Sequence, residues 1–108
     1  MLKRVKRRYL VVKVDSANVV GETELLAAAW QSIMKLYGEY GASKAALKMI
    51  NYDAGEKTAV LRTANDALEI TRAAIAAITK IGNKPAGLHV AKVSGTIRSL
   101  RMKKRKEN

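Results

Sequence analysis

Lysine and arginine are the residues with which this sequence could do chemistry, and that chemistry is the gripping of anionic oxygen. The chain of 108 residues carries 21 Lys and Arg against 9 Asp and Glu, a formal charge of +12. Residues 1–8 hold Lys3, Arg4, Lys6, Arg7 and Arg8 with no acid, for +5. Residues 98–108 hold Arg98, Arg101, Lys103, Lys104, Arg105 and Lys106 against Glu107, again +5, which leaves +2 for residues 9–97. A nearly neutral domain with two basic arms points to a polyanionic partner, and nucleic acid fits such arms best. The plain alternative is a pair of solvated tails that serve solubility alone.

The residue types of bond-making sites are scarce. With no cysteine there is no disulfide scaffold, thiolate metal site or cysteine nucleophile. A single histidine, His89, leaves imidazole-based metal or triad chemistry short of ligands and bases. Asp15, Asp53 and Asp66 fall in turns or at a helix cap, where carboxylates have routine structural work. No carboxylate pair suggests a two-metal site. The N-terminal charge run is followed only by the short apolar Leu10 to Val12, and no apolar stretch approaches the ~20 residues of a membrane span. A soluble, intracellular, cytoplasmic protein is therefore expected, one that binds no metal or cofactor of its own.

The elements that must position the cations follow from periodicity. Apolar residues make up 48% of the chain and aromatics 5%, with no Phe, so the core must be aliphatic. Tyr9 to Val14 alternates as a strand, with Leu10, Val12 and Val14 on one face and Tyr9, Val11 and Lys13 on the other. Thr23 can cap a helix whose stripe is Leu26, Trp30, Ile33, Met34 and Tyr37, with Gly38 ending it. Trp30 and Tyr37 are expected in the core. Ala46 to Tyr52 and Thr58 to Thr63 read as strands joined at Asp53 to Glu56. Asn65 or Asp66, with Glu69, opens a second helix along Leu68, Ile70, Ala74, Ile75, Ala77, Ile78 and Ile81, which Gly82 and Pro85 stop. Gly87 to Ser94 is the last strand.

The order β-α-β-β-α-β predicts an α+β fold, the RRM-like or ferredoxin-like sandwich of a four-stranded antiparallel sheet with both helices on one face. One domain is expected over 1–108, made of a basic arm (1–8), a core (9–97) and a basic tail (98–108). The first and last strands would be antiparallel neighbours, so the two arms would leave from one end of the sheet and sum their charge. The aromatic pattern with which an RRM stacks bases is missing, since the third strand is Thr58-Ala59-Val60-Leu61-Arg62-Thr63, and only Tyr9 and Tyr52 could stack. The open face is expected to show Tyr9, Val11, Val60, Ile50 and Leu88 or Val90 among Lys13, Lys48, Arg62 and Lys92. That mixture suits a protein partner, or partial cover by the terminal segments.

Four stretches together carry a resemblance. They are Lys6-Arg7-Arg8-Tyr9-Leu10-Val11-Val12-Lys13-Val14; Gly38-Glu39-Tyr40-Gly41-Ala42-Ser43-Lys44-Ala45; Val60-Leu61-Arg62-Thr63 with Arg72-Ala73-Ala74-Ile75-Ala76-Ala77-Ile78-Thr79; and Val93-Ser94-Gly95-Thr96-Ile97-Arg98, the most specific. They resemble protein component two of archaeal ribonuclease P, the family whose eukaryotic member is Pop-five. The resemblance implies a non-catalytic subunit of the ribonucleoprotein that removes the 5′ leader of precursor tRNA, with the RNA doing the chemistry through Mg²⁺. It further implies an RRM-like fold, a TIM-barrel protein subunit as partner, and self-association in a two-plus-two assembly. Arg72 matches a family arginine. Charge and resemblance together give an RNA-binding set of Arg4, Lys6, Arg7, Arg8, Lys44, Arg62, Arg72, Arg98, Arg101, Lys103, Lys104 and Arg105.

Two other readings stand beside it. A ribosomal or other structural RNA-binding protein would share the tails, although the Val93 to Arg98 segment argues against it. An acylphosphatase-like enzyme would need a phosphate-cradling loop after the first strand, and Asp15-Ser16-Ala17-Asn18 is not glycine-rich.

Overall fold

The computed structural model describes residues 6–96. Its elements in chain order are β1 (Arg7–Asp15), α1 (Glu22–Ala45), β2 (Lys48–Asp53), β3 (Thr58–Ala64), a 3-10 turn (Asn65–Ala67), α2 (Leu68–Ala76), the short β4 (Lys80–Ile81) and β5 (Lys84–Pro85), and β6 (Gly87–Ser94). The main sheet has four antiparallel strands in the order β2-β3-β1-β6. This is the expected α+β sandwich, with β1 and β6 as neighbours. Tyr9 pairs with Ser94, so the chain enters β1 and leaves β6 at the same end of the sheet.

Alternation in β1 sorts its residues as expected. Leu10, Val12 and Val14 are buried with Leu25 and Ala29 of α1 and Ile75 of α2. Each fully buried aliphatic side chain contributes about 1.5–3 kcal/mol. Strand β6 departs from simple alternation because Val11 pairs with Lys92 while Val12 pairs with Val90. Ala91 is the extra residue of a bulge, so Leu88, Val90 and Val93 all pack toward the core. Leu88 and Val90 are therefore not on the open face, where strict alternation left them as candidates.

The first helix also departs from expectation. Gly21, not Thr23, is its N-cap, and the Gly21 N–H donates to Glu24 Oε1 at 3.1 Å. The buried stripe is Leu25, Ala29 and Ile33, one residue out of phase with Leu26, Trp30 and Met34. Trp30 and Tyr37, expected in the core, are 46% and 42% exposed. Alanine at 29 lets the helix approach the sheet closely, and a pattern that counts only large residues misses it. Gly38 does break the helix, with φ 75 and ψ −172, but the turn resumes and runs to Ala45. Glycine is required there by the positive φ. Helical winding returns because Ala42 and Ala45 are buried with Ile33, Ala64, Ala67 and Ala74, a cluster of small side chains that draws α1 against α2. Gly41 sits so close to Tyr37 that an added Cβ would lie 2.4 Å from its Cβ.

The second helix is shorter than its apolar stripe. It ends at Ala76, and Ile78 and Ile81 reach the core from the segment beyond. Gly82 and Asn83 both take positive φ, 57 and 71, as a two-residue turn between β4 and β5 demands. These residues make a hairpin where sequence periodicity had extended the helix. Neither Asn65 nor Asp66 caps through its side chain, and the 3-10 turn starts after Ala64.

A buried hydroxyl pair joins the layers. Thr63 Oγ1 donates to the Ala45 carbonyl at 2.7 Å and lies 2.8 Å from Thr71 Oγ1, linking β3 to the end of α1 and to α2. Both threonines have no exposed surface. Thr63→Val keeps the shape but strands the Ala45 carbonyl, and should cost about 1–3 kcal/mol in urea unfolding. The double variant with Thr71→Val should cost clearly less than the two single costs combined, since both remove one shared interaction.

Candidate nucleic-acid interface

The open face of the sheet is ordered by register into rows that run across β2, β3, β1 and β6. The first row is Lys48, Arg62, Tyr9 and Ser94. The second is Asn51, Val60, Val11 and Lys92, and the third is Asp53, Thr58, Lys13 and His89. Ile50, expected on this face, is the extra residue of a second bulge opposite Val60 and is half-buried. Arg7 continues the face beyond the first row and is exposed, while Asp15 pairs with Gly87 at the far end. Cations thus gather toward the end where the chain enters β1 and leaves β6.

That end holds much of the expected RNA-binding set. Lys6 and Arg7 are exposed, and the Lys6 carbonyl accepts from the Asn65 N–H at 2.8 Å. Arg7 and Arg8, assigned by charge to the basic arm of residues 1–8, are the first residues of β1. Arg8 is half-buried, and its guanidinium donates to Asn65 Oδ1 at 3.1 Å. Arg62 is half-buried beside Tyr9 and Lys48, its Nε enclosed without a hydrogen-bond partner. Burial of these stems fixes where the charged heads lie.

Lys44 and Arg72 belong to the helical layer. Lys44 is in the last turn of α1, where a cation complements the helix dipole, and its Nζ stands 6.0 Å from the centroid of the exposed Tyr40 ring. Arg72 is exposed on α2. The two adjoin Ala45 and Thr71, the residues that Thr63 holds together, so they share the cationic end but not the open face. Arg4, Arg98, Arg101, Lys103, Lys104 and Arg105 lie outside the described residues. Lys48 is absent from the expected set, and its signal was only the cross-strand pairing with Arg62.

Tyr52, the second candidate for stacking, is on the opposite face. Its hydroxyl donates to the Val20 carbonyl and its ring packs against the core. A groove of about 430 Å³ runs between α1 and residues 77–82, lined by Glu24, Gln31, Ser32, Lys35, Thr79 and Lys80. Among the described residues no three His, Cys, Asp or Glu side chains gather as a metal site, and no helix is long and apolar enough to cross a membrane.

A family model described as Rpp14/Pop5 matches residues 8–104. The chain belongs to the Rpp14/Pop5 family. Among its relatives, ribonuclease P protein component 2 of Pyrococcus furiosus is 30% identical over 93% of this chain and 83% of that protein. The protein of the same name from Methanosarcina acetivorans is 28% identical over 88% of this chain and 70% of its own length. A chain in the cryo-EM structure of yeast ribonuclease MRP shares the fold, with a TM-score of 0.73 at 14% identity, over 99% of this chain and 93% of that one. In this Rpp14/Pop5 member the family match begins at Arg8 in β1 and takes in Lys44, Lys48, Arg62 and Arg72, while Lys6 and Arg7 precede it.

Burial, and secondarily the neighbouring Asp53 carboxylate, raises the pKa of the Tyr52 hydroxyl. The unfolded chain therefore gives up this proton before the folded chain does. The contribution is whole below about pH 10 and is lost as pH climbs toward the folded value. Stability measured by urea unfolding should fall as pH rises above about 10, and Tyr52→Phe should fall less steeply there than the parent.

Proposed function

We propose that this chain is a non-catalytic protein subunit of a ribonuclease P, binding and activating the RNA that removes the 5′ leader from precursor tRNA. The observation that carries this reading is the family match over residues 8–104, with relatives named ribonuclease P protein component 2 aligned along most of the chain. In this reading the chain's residues make no bond. The RNA holds Mg²⁺ and does the chemistry, and the protein neutralises phosphates so that the RNA can fold compactly at lower Mg²⁺. Lys6, Arg7, Arg8 and Arg62 position that contact at the end of the sheet, while Arg4 and the basic residues from Arg98 to Arg105 extend its reach. Such phosphate contacts fix register without reading sequence.

The same reading assigns it protein partners. Trp30, Leu36, Tyr37 and Tyr40 lie exposed along α1, a surface more apolar than a solvated helix requires. A TIM-barrel subunit, or a second copy in a two-plus-two assembly, would cover it. The protein would work in the cytoplasm with its RNA.

Purifying the tagged chain from its own cells and sequencing the RNA bound to it is the direct test. Ribonuclease P RNA is expected, and ribosomal RNA in its place would favour the structural RNA-binding alternative. The purified protein alone should cleave no precursor tRNA.

Electrostatics supplies a second expectation. If about six phosphates are neutralised, log K on helical RNA should fall with log salt at a slope near −5, and removing residues 1–5 and 99–108 should flatten it. Arg98→Ala should weaken RNA activation more than Lys104→Ala, since Arg98 follows β6 by only a few residues and gives up less freedom on binding. Equal losses from the two substitutions would remove Arg98 from the positioning set.

A further inference from the structure

We propose that the open face of the sheet holds a single-stranded stretch of RNA, with one base stacked on Tyr9 and its phosphates held by Lys48, Arg62 and Lys92. The proposal deepens the subunit reading and rests on it, since it says what kind of RNA meets the folded core and where.

Three observations carry it. Tyr9 is half-buried in the central strand, with its side chain on the face away from both helices. Arg62 flanks it directly across β3, Lys48 stands one strand further in the same row, and Lys92 pairs with Val11 in the next row. The acids of this face, Asp15 and Asp53, stand at the opposite end. The face therefore has one phenol ring, Tyr9, set among cations, an apolar centre at Val11 and Val60, and the His89 imidazole apart from it in the third row.

The chemistry chooses between occupants. A protein seated over the first two rows would have to take Lys48, Arg62 and Lys92 out of water and supply acids for each, because burial of an unpaired charge is costly. Phosphates supply those partners at every nucleotide. A duplex keeps its bases stacked on one another and shows a protein only backbone and groove, so a ring on a flat sheet has nothing to stack on. An unpaired base does offer its face, and stacking on an aromatic side chain tolerates any base. The missing RRM aromatic pattern leaves Tyr9 as the one ring beside Arg62, Lys48 and Lys92, with His89 two rows away, and predicts little sequence preference. The bulge at Ala91 is what makes the face continuous, since it returns Lys92 to the open side after Val90 has packed inward.

The test uses the full chain and two labelled probes, octauridine and a 12-base-pair RNA duplex, read by fluorescence anisotropy at about 0.2 M salt, where purely electrostatic binding fades. Tyr9→Ala should weaken octauridine binding about tenfold and change duplex binding less than twofold, and Tyr9→Phe should bind both as the parent does. Because Tyr9 lies in the central strand, a second variant guards against misfolding. Lys48→Gln with Lys92→Gln should make the salt slope on octauridine shallower by about 1.4, near 0.7 per lost phosphate contact, and leave the duplex slope unchanged. Equal losses on both probes, or a folded Tyr9→Ala that binds octauridine like the parent, would overturn the proposal. An unchanged octauridine slope in the lysine variant would do so as well, even if Tyr9→Ala unfolds. If these variants leave both probes alone but lose a co-purifying protein subunit, the face is a protein interface and the subunit reading stands. If the parent chain binds neither probe, this proposal falls, while the subunit reading stands or falls on the RNA that co-purifies with the chain.

Discussion

Strand β1 is the constraint on which the rest of the molecule depends. It is hydrogen-bonded on both sides, to β3 and to β6, so its register fixes the two strand pairings that make the sheet a single surface. Its inward residues, Leu10, Val12 and Val14, are the floor on which both helices rest. Its outward residues, Tyr9, Val11 and Lys13, form the middle of the open face. Because a strand alternates with a period of two, a slip of one residue would exchange those sets and place Tyr9 and Lys13 in the core. The burial of three aliphatic side chains therefore decides both the stability of the fold and the chemistry it displays. It also decides where charge goes, because antiparallel pairing of β1 with β6 brings residues far apart in sequence to one end of the sheet.

The helical layer obeys a second, local rule. Its contacts are made with alanine and threonine as much as with leucine and isoleucine, and small side chains bring α1 and α2 close enough for Thr63 to reach Ala45 and Thr71. A polar group enclosed at such a junction must be satisfied, so the hydroxyl pair specifies one packing of the two helices where an all-apolar junction would tolerate several. The cost is that large apolar residues of α1 are left over. Trp30, Tyr37 and Tyr40 stand outside because Leu25, Ala29 and Ile33 already fill the inner face.

These two rules explain what was legible in the sequence. Strand alternation is a strong signal when the strand is long and one-sided, so β1 and the topology built on it followed from Leu10, Val12 and Val14. The phase of α1 did not, because Ala29, between Leu25 and Ile33 on the buried stripe, looks neutral in a hydrophobic pattern. The end of α2 was obscured for the related reason that Ile78 and Ile81 continue a helical spacing while belonging to a turn and a hairpin. Bulges at Ile50 and Ala91 leave no mark in composition, yet they decide which residues face outward. The cationic end was legible in net charge, and the membership of Arg7 and Arg8 in β1 was not, since alternation is hard to see where both faces are charged.

Placement of those charges matters because a cation on a strand and a cation on a tail act differently. Both attract phosphate through the same Coulomb term, and both release counterions when they bind. A free lysine gives up to about 2 kcal/mol of side-chain freedom when it settles on one phosphate. Arg62 has already lost part of that freedom to folding, because its stem is half-buried and its Nε enclosed. Arg8 is held in the same way, and its bond to Asn65 sets the plane of its guanidinium. Under the proposed subunit reading, strand cations such as Arg62 and Arg8 would give a bound RNA its orientation, at the end of the sheet where the chain enters β1 and leaves β6.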